Sequence, residues 1–255
     1  MLKGKTILII GIRNKWSIAY GIAEAVKRQN GNIIFIYRDG NSNEKIEKVI
    51  QGFNAKIYKV KNIVDDKEVK ELFKKIKKDC GKVDGVVHAV AHANTEDLHN
   101  DFIYTSKEGF LHALEVSTYS FVSTSRIAKE VSLLNKKSSL VTLTYLGSER
   151  VLRGYNVMGV AKAALESATR YLSENLGKEE IRVNALSAGP INTLSARGIK
   201  NFNTILDIVE KKSPLHKNVT IKQVGNVAAF LLSDLSDSIT GQVIYADNGY
   251  NIIGE

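Results

Sequence analysis

Tyr155 and Lys162 stand seven positions apart in the segment YNVMGVAK (155–162). On an α-helix this spacing is about two turns, so both side chains should point to the same side. A phenol hydroxyl can donate a hydrogen bond to an oxygen that gains charge, and an ammonium group can stabilise that charge. The pair therefore predicts either an acid with an electrostatic helper or an ordinary polar helix face, and the rest of the chain must decide.

A second candidate site follows the first apolar run, KTILIIG (5–11). Gly11 would allow a tight turn and Ser17 would begin a helix, whose first N–H groups suit a pyrophosphate. The segment GIRNKWSIAYG (11–21) lacks G-x-G-x-x-G and is weak evidence alone. After the second apolar run, Arg38 favours a 2′-phosphate, whereas Asp39 favours a ribose hydroxyl. We expect NADPH or NADH as the cofactor, with a slight preference for NADPH.

The elements that must position these residues alternate between strand and helix along the chain. The predicted strands are 5–11, 32–37, 56–60, 83–90, 139–145, 181–187 and 241–247, and the predicted helices are 17–29, 43–53, 65–78, about 107–134, 155–176, 203–211 and 221–233. Alternation of this kind predicts an α/β fold, a Rossmann-like doubly wound parallel sheet of about seven strands with helices on both faces. No linker or repeat divides residues 1–255, so we expect a single domain.

The composition excludes several classes of protein. One cysteine, Cys80, permits no internal disulfide and suits a reducing cytoplasm. The first strand leaves no room for a signal peptide, and no apolar run reaches the roughly 20 residues that span a membrane. The net charge of +9 comes from 36 basic and 27 acidic residues and indicates a solvated basic surface or an acidic partner. Because the basic segments lack aromatics and motifs, nucleic-acid binding is not expected.

Five stretches together resemble the bacterial enoyl-acyl-carrier-protein reductases of the short-chain dehydrogenase/reductase superfamily. They are GKTILIIGIRNKWSIAYGIA (4–23), TLTYLGSERV (142–151), YNVMGVAKAALE (155–166), IRVNALSAGPINTLSA (181–196) and SDLSDSITGQVIYADNGY (233–250). The Tyr-x6-Lys spacing is the specific mark, since other members of the superfamily carry Tyr-x3-Lys and Gly159 occupies that place here. Tyr145, ten residues before Tyr155, is the second mark.

The resemblance implies hydride transfer from NAD(P)H to a trans-2-enoyl thioester carried by acyl carrier protein in fatty acid elongation, by a cytoplasmic homotetramer. The implied residues are catalytic Tyr145, Tyr155 and Lys162; cofactor-binding Gly11, Ser17, Ile18, Ala91, Lys162, Ile191 and Thr193, beside Arg38; and substrate-binding Ala93, Tyr145, Tyr155 and Met158. Residues 193–206 would form a lid over the substrate. The acidic carrier would meet Lys200, Lys211, Lys212 and Lys217 beside that lid. No metal is implied.

Several positions depart from the family pattern and leave alternatives open. They are Arg13, Asn62, His92, Asn192 and Asn248, all at the expected cofactor pocket or its mouth. A divergent relative acting on another enoyl thioester is one alternative, a carbonyl reductase is a second, and a non-catalytic dinucleotide-binding protein is a third. His88 and His92 have no metal-like partners in the sequence, and we expect them to be structural or to line the pocket.

Overall fold

The computed structural model describes residues 1–40, 42–193 and 202–254. Within these ranges, seven strands form one sheet in the order β3-β2-β1-β4-β5-β6-β7, and all neighbouring pairs are parallel. The strands are β1 (Thr6–Ile10), β2 (Asn32–Arg38), β3 (Lys56–Val60), β4 (Val83–His88), β5 (Leu134–Thr144), β6 (Arg182–Ala188) and β7 (Val243–Ala246). This confirms the predicted doubly wound sheet.

Helices cover both faces of the sheet, as the alternation predicted. They are α1 (Ile18–Arg28), α2 (Asn43–Ile50), α3 (Asp66–Cys80), α4 (Thr95–His99), α5 (Lys107–Leu114), α6 (Ser120–Glu130), α7 (Asn156–Gly177), α8 (Phe202–Lys212) and α9 (Ile221–Leu232). Side chains alternate along each strand, so Ile7 and Ile9 pack in the layer of α1 and α9, whereas Leu8 and Ile10 pack in the layer of α3, α6 and α7.

Two features of the helical segments differ from the predictions. The helix expected over about 107–134 ends at Glu130 because Ser132 takes a left-handed φ of 54° and β5 begins at Leu134. The same segment contains a π-helical turn, Glu115–Tyr119, between α5 and α6. The five-residue helix α4 was not predicted, because it is too short to show helical periodicity.

The order of the strands fixes where a ligand would sit. The chain runs outward from β1 through β2 to β3, and then returns to β4 on the other side of β1. The switch in direction therefore lies between β1 and β4, and a crevice opens beyond the carboxyl ends of these strands. The segments that follow β1, β4, β5 and β6 all leave the sheet at this edge because the strands are parallel.

Candidate active site

The two tyrosines singled out in the sequence lie against each other. The rings of Tyr145 and Tyr155 are 5.1 Å apart between centroids and meet edge to face at 76°. Tyr145 directly follows β5, and Tyr155 directly precedes α7. The fold therefore brings the end of a central strand and the start of the longest described helix together at the carboxyl edge of the sheet.

Two glycines permit this close approach of α7 to the segment after β5. A Cβ atom on Gly159 would lie 2.6 Å from the carbonyl oxygen of Gly147, and a Cβ atom on Gly147 would lie 2.4 Å from the ring of Tyr155. A side chain at position 159 would require the backbone to move, and one at position 147 would require the Tyr155 ring to move. Position 159 thus not only lacks the lysine of Tyr-x3-Lys but has no space for one in this arrangement.

The expected two-turn helical relation of Tyr155 and Lys162 needs a correction. Tyr155 is the N-cap of α7 rather than a residue of its first turn, and Asn156 has a left-handed φ of 39°. The Asn156 amide donates to the carbonyl oxygens of Leu98 and Asn100, at 3.1 and 2.6 Å. These bonds fix the start of α7 against the carboxyl end of α4, and they therefore contribute to the orientation of Tyr155. Regular helix periodicity could not have revealed this.

Lys162 is buried one to two turns into α7. Its side chain is 6% exposed, and its ammonium group donates to the Leu143 carbonyl oxygen at 2.7 Å. Burial lowers the pKa of Lys162 to about 8, against an opposing effect of the Glu166 carboxylate. Burial also raises the pKa of Tyr155, and the neighbouring Tyr145 and Glu166 add to this effect. At neutral pH the site therefore combines a protonated phenol with a positively charged lysine.

Sequence reasoning missed two polar residues beside this pair. Glu166 lies one turn after Lys162 and is buried, and it accepts a hydrogen bond from the Thr144 hydroxyl at 2.5 Å. Thr144 is the last residue of β5 and is itself buried. The i, i+4 spacing of Lys162 and Glu166 was a visible signal, but such pairs are most often exposed on helix surfaces.

The start of α1 fits the pyrophosphate of a dinucleotide. Gly11 has a φ of 102°, and a Cβ atom there would lie 2.4 Å from the Ala89 carbonyl oxygen after β4. Ser17 caps α1 by accepting the Tyr20 N–H, whereas the Ile18 and Ala19 N–H groups have no acceptor in the described part of the chain. The first turn of α1 holds no acidic residue, so an anion would meet donors without a competing carboxylate.

In the sequence, Arg38 favours a cofactor with a 2′-phosphate and Asp39 favours one with a ribose hydroxyl, and the structure at the end of β2 bears on this choice. The Asp39 carboxylate accepts a hydrogen bond from the Asn43 side chain at 2.6 Å, while Arg38 is exposed and forms no ion pair within the described residues. One carboxylate oxygen of Asp39 is thus engaged inside its own loop. The Arg38 guanidinium remains available to a ligand at this edge.

His92 and Arg13, two positions that differ from the family pattern, lie near Arg38. Partial burial lowers the pKa of His92, and His112, Arg38 and Arg13 lower it further through their positive charge. The rings of His92 and His112 are 5.1 Å apart between centroids. The backbone of His92 is held by the Ser117 hydroxyl of the π-helical turn, which accepts its N–H at 3.0 Å and donates to its carbonyl at 3.1 Å.

The other expected site residues surround the same edge. Ala91 is exposed after β4, and half-buried Ala93 lies in an open cleft of about 420 Å³ lined by residues 92–96. Ile191 packs partly against the α1 and α9 layer, and the Thr193 N–H donates to the Ile191 carbonyl at 2.7 Å. Met158 is buried on α7. Residues 194–201, the greater part of the expected lid, lie outside the described residues, as does Lys200.

His88 was expected to be structural or to line the pocket, and its contacts in the interior of the protein are those of a structural residue. It is fully buried, and its ring nitrogens contact the hydroxyls of Ser120 at 2.8 Å and Thr142 at 3.3 Å. Burial lowers its pKa to about 3, so it is neutral under ordinary conditions. Among the described residues, no group of three or more His, Cys, Asp or Glu could hold a metal ion, and no helix is long and apolar enough to cross a membrane.

A doubly wound sheet, a helix N-terminus suited to a pyrophosphate, and a half-buried tyrosine with a buried lysine define a Rossmann-like, dinucleotide-dependent oxidoreductase. The family model described as enoyl-(acyl carrier protein) reductase matches residues 11–251. The chain therefore belongs to the enoyl-acyl-carrier-protein reductase family, as its resemblance predicted.

Individual relatives are similar over their whole length. The chain is 46% identical over 255 residues to the enoyl-[acyl-carrier-protein] reductase [NADPH] of Staphylococcus aureus strain MRSA252, covering 99% of this chain and 98% of that protein. It is 42% identical over 257 residues to the [NADH] enzyme of Bacillus cereus strain ATCC 14579, covering 100% and 99%. A crystal structure of the Bacillus cereus reductase with NADP⁺ and indole naphthyridinone superimposes with a TM-score of 0.96 at 40% identity, covering 100% of both chains.

Proposed function

We propose that this protein reduces the trans-2 double bond of enoyl thioesters, with NAD(P)H as the reductant, and that Tyr145, Tyr155 and Lys162 are its catalytic residues. The observation that carries the proposal is the contact of the two tyrosine rings beside the buried Lys162. A carbonyl reductase of the Tyr-x3-Lys type needs a lysine at position 159, where the chain has glycine and no free space.

The residues of the site would act on the thioester oxygen. NAD(P)H, when bound, would supply the hydride for the β-carbon of the substrate. The resulting enolate then takes a proton from solvent at its α-carbon. Tyr155 donates a hydrogen bond to the thioester oxygen, where the negative charge of the enolate develops. Tyr145 packs against the Tyr155 ring and restricts its orientation. Lys162 contributes positive charge and would hold the ribose hydroxyls of a bound cofactor.

The protonation states of the site support this division of roles. The raised pKa of Tyr155 keeps its phenol neutral and therefore able to donate. Lys162, with a pKa of about 8, is mostly charged at neutral pH and loses its charge above that value. If the charge is required, kcat/KM falls about tenfold for each pH unit above about 8.

NADPH is the favoured cofactor in this proposal. Gly11, Ser17 and Ile18 would hold the pyrophosphate, and exposed Arg38 would bind a 2′-phosphate while Asp39 is engaged by Asn43. The Staphylococcus aureus relative is named for NADPH and the Bacillus cereus relative for NADH, so family membership alone leaves the choice open. Ala91, Ile191 and Thr193 complete the proposed cofactor residues, and Ala93 and Met158 the acyl pocket.

The proposal extends to a protein partner, a lid and an assembly. Acyl carrier protein, which is acidic, would dock against exposed Lys211, Lys212 and Lys217 beside a lid formed by 193–206, in the cytoplasm. A homotetramer would cover exposed apolar side chains of the helical segments around α5 and α7, namely Leu111, Tyr119 and Tyr171. Sedimentation equilibrium of wild type and Tyr171→Glu tests the assembly, and a monomeric wild type would contradict it.

The direct test of the activity is the absorbance at 340 nm with trans-2-enoyl thioesters of several chain lengths. NADH and NADPH are measured in parallel, and ketone substrates provide the comparison. We expect oxidation of the cofactor with enoyl thioesters and none with ketones. Oxidation with ketones alone would establish a carbonyl reductase, whereas cofactor binding without oxidation by any substrate would establish a non-catalytic protein.

A further inference from the structure

A buried carboxylate lies beside the catalytic pair without a direct ion pair to explain it. Glu166 is 6% exposed, and no lysine, arginine or histidine of the described residues lies within 4.0 Å of its oxygens. Removing a charged side chain from water is costly unless other groups compensate. The burial of the Glu166 carboxylate therefore calls for a functional explanation.

The one hydrogen bond described for Glu166 joins two parts of the active site. The Thr144 hydroxyl donates to its Oε1 at 2.5 Å. Thr144 ends β5 and is followed by Tyr145, while Glu166 lies on α7, the helix that begins after Tyr155 and carries Lys162. The bond thus connects the element that positions one tyrosine with the helix that positions the other tyrosine and the lysine.

Charged and titratable groups surround this carboxylate on several elements. Glu166 raises the pKa of Lys162, which lies one turn before it on α7, and it also raises the pKa of Tyr155 at the cap of α7 and of Tyr245 on β7. The positive charge of Lys162 helps to lower the pKa of His88 on β4, which is uncharged, and Asp247 after β7 raises the pKa of Tyr145 and of Tyr245. The Tyr245 hydroxyl itself donates to Glu149 at 2.6 Å.

We propose that Glu166 is a positioning residue for the reduction, because its buried carboxylate keeps Lys162 charged and Tyr155 protonated and its bond to Thr144 holds α7 to the end of β5. This rests on the catalytic roles proposed above for Tyr155 and Lys162. A single negative charge serves both groups, since it favours an ammonium and disfavours a phenolate. Without it, the burial of Lys162 would act unopposed and remove the lysine charge at a lower pH.

The test compares Glu166→Gln with Glu174→Gln. Glutamine keeps an oxygen that can accept the Thr144 hydroxyl but removes the charge, and Glu174 is an exposed glutamate of the same helix. Lys162 is titrated by NMR in protein labelled with ¹³C at the lysine ε-carbons, its signal being assigned from Lys162→Ala. We expect the Lys162 titration midpoint and the basic limb of kcat/KM to move down by about one pH unit in Glu166→Gln. Neither should move in Glu174→Gln.

The results separate positioning from structural support. Glu166→Asp retains the charge and should retain the wild-type basic limb, even where its shorter arm weakens the bond to Thr144. An unshifted Lys162 titration in folded Glu166→Gln, with activity lowered equally at every pH, would overturn the proposal.

A second variant covers the case in which Glu166→Gln does not fold. Thr144→Val removes the hydroxyl and leaves the carboxylate, so kcat should fall about 10-fold or more at every pH, the worth of one buried hydrogen bond to a charged group. A folded Thr144→Val with wild-type kcat would overturn the connection between β5 and α7. A failure of the catalytic roles proposed for Tyr155 and Lys162 can be told apart from a failure of the role proposed for Glu166. In the former case, Tyr155→Phe and Lys162→Ala would retain wild-type kcat.

Discussion

At the scale of single residues, a phenol and an ammonium group are held in the protonation states that the proposed reaction needs. Tyr155 remains a neutral donor because burial raises its pKa, and Lys162 remains charged near neutral pH although burial lowers its pKa to about 8. Arg38 is exposed at the end of β2, whereas the neighbouring Asp39 is hydrogen-bonded to Asn43. His88 on β4 is buried and neutral and is hydrogen-bonded to Ser120.

Cofactor preference is tested at Arg38. Arg38→Ala removes the cation proposed to bind the 2′-phosphate, so we expect KM for NADPH to rise about 10-fold to 100-fold, the worth of a hydrogen bond to a charged group. KM for NADH should change little. Steady-state kinetics with both cofactors measure this, and Arg28→Ala, whose side chain bonds Asn226 away from the site, is the control. Equal losses with both cofactors would contradict a 2′-phosphate contact.

The buried neutral His88 makes stability depend on pH. Its folded pKa of about 3 lies below the ordinary 6.5, so the unfolded chain binds the extra proton as the pH falls below 6.5. From pH 7 to pH 5 the free energy of unfolding should drop by about 2 kcal/mol through this group alone. Urea unfolding of wild type and His88→Gln at both pH values measures the difference. An equal pH dependence in the two proteins would show that His88 does not carry it.

At the scale of elements, the site depends on how closely α7 approaches the end of β5. The Gly147 carbonyl lies where a Cβ atom of Gly159 would be, and Thr144 and Glu166 join the same two elements one turn further along. The strands were predictable because apolar runs bounded by turns identify buried parallel strands. The π-helical turn at 115–119 and the cap of α7 at Tyr155 were not, because both depend on tertiary contacts such as those of Ser117 and Asn156.

The approach of α7 is tested by adding one methyl group at position 159. In Gly159→Ala the Cβ atom would lie 2.6 Å from the Gly147 carbonyl oxygen, so α7 must shift and the two tyrosines must separate. We expect kcat to fall at least tenfold and the protein to lose about 1–3 kcal/mol of unfolding free energy, as overpacking does.

The control for this variant is Gly177→Ala at the other end of α7. A Cβ atom there has no neighbour within 4 Å, so the substitution should leave kcat unchanged and cost no stability. Kinetics and urea unfolding of both variants measure the difference. Wild-type kcat in Gly159→Ala would show that the tyrosine contact tolerates movement of the helix.

At the scale of the whole molecule, the parallel sheet places the proposed site residues together at the carboxyl ends of its strands. The segments after β1, β4, β5 and β6 supply the proposed site residues from positions that lie up to about 180 residues apart in the chain. The sequence was sufficient for the class of fold, and the spacing of Tyr145, Tyr155 and Lys162 was sufficient to single these residues out, whereas their catalytic roles stay a prediction. It was not sufficient for Glu166, whose burial only the packing of α7 on β5 determines.

The proposed docking of an acidic carrier protein on this basic molecule is tested at three exposed lysines. Reversal of Lys211, Lys212 and Lys217 to glutamate should raise KM for carrier-bound substrate by about 10-fold or more at low salt and spare a small thioester. The control reverses Lys3, Lys78 and Lys82, three exposed lysines at the amino ends of strands, opposite the site. Equal effects of the two triple variants, or equal effects on both substrates, would contradict docking at Lys211, Lys212 and Lys217.

The most direct test of the catalytic assignment is the rate of hydride transfer in Tyr155→Phe, followed at 340 nm in a single turnover with a trans-2-enoyl thioester, together with the cofactor Kd of the same variant. Phenylalanine keeps the ring that packs against Tyr145 and removes only the donor. We expect the rate to fall about 10²-fold to 10³-fold, the usual cost of one lost donor to a developing oxyanion, while the Kd stays at the wild-type value. A wild-type rate in Tyr155→Phe would contradict the assignment.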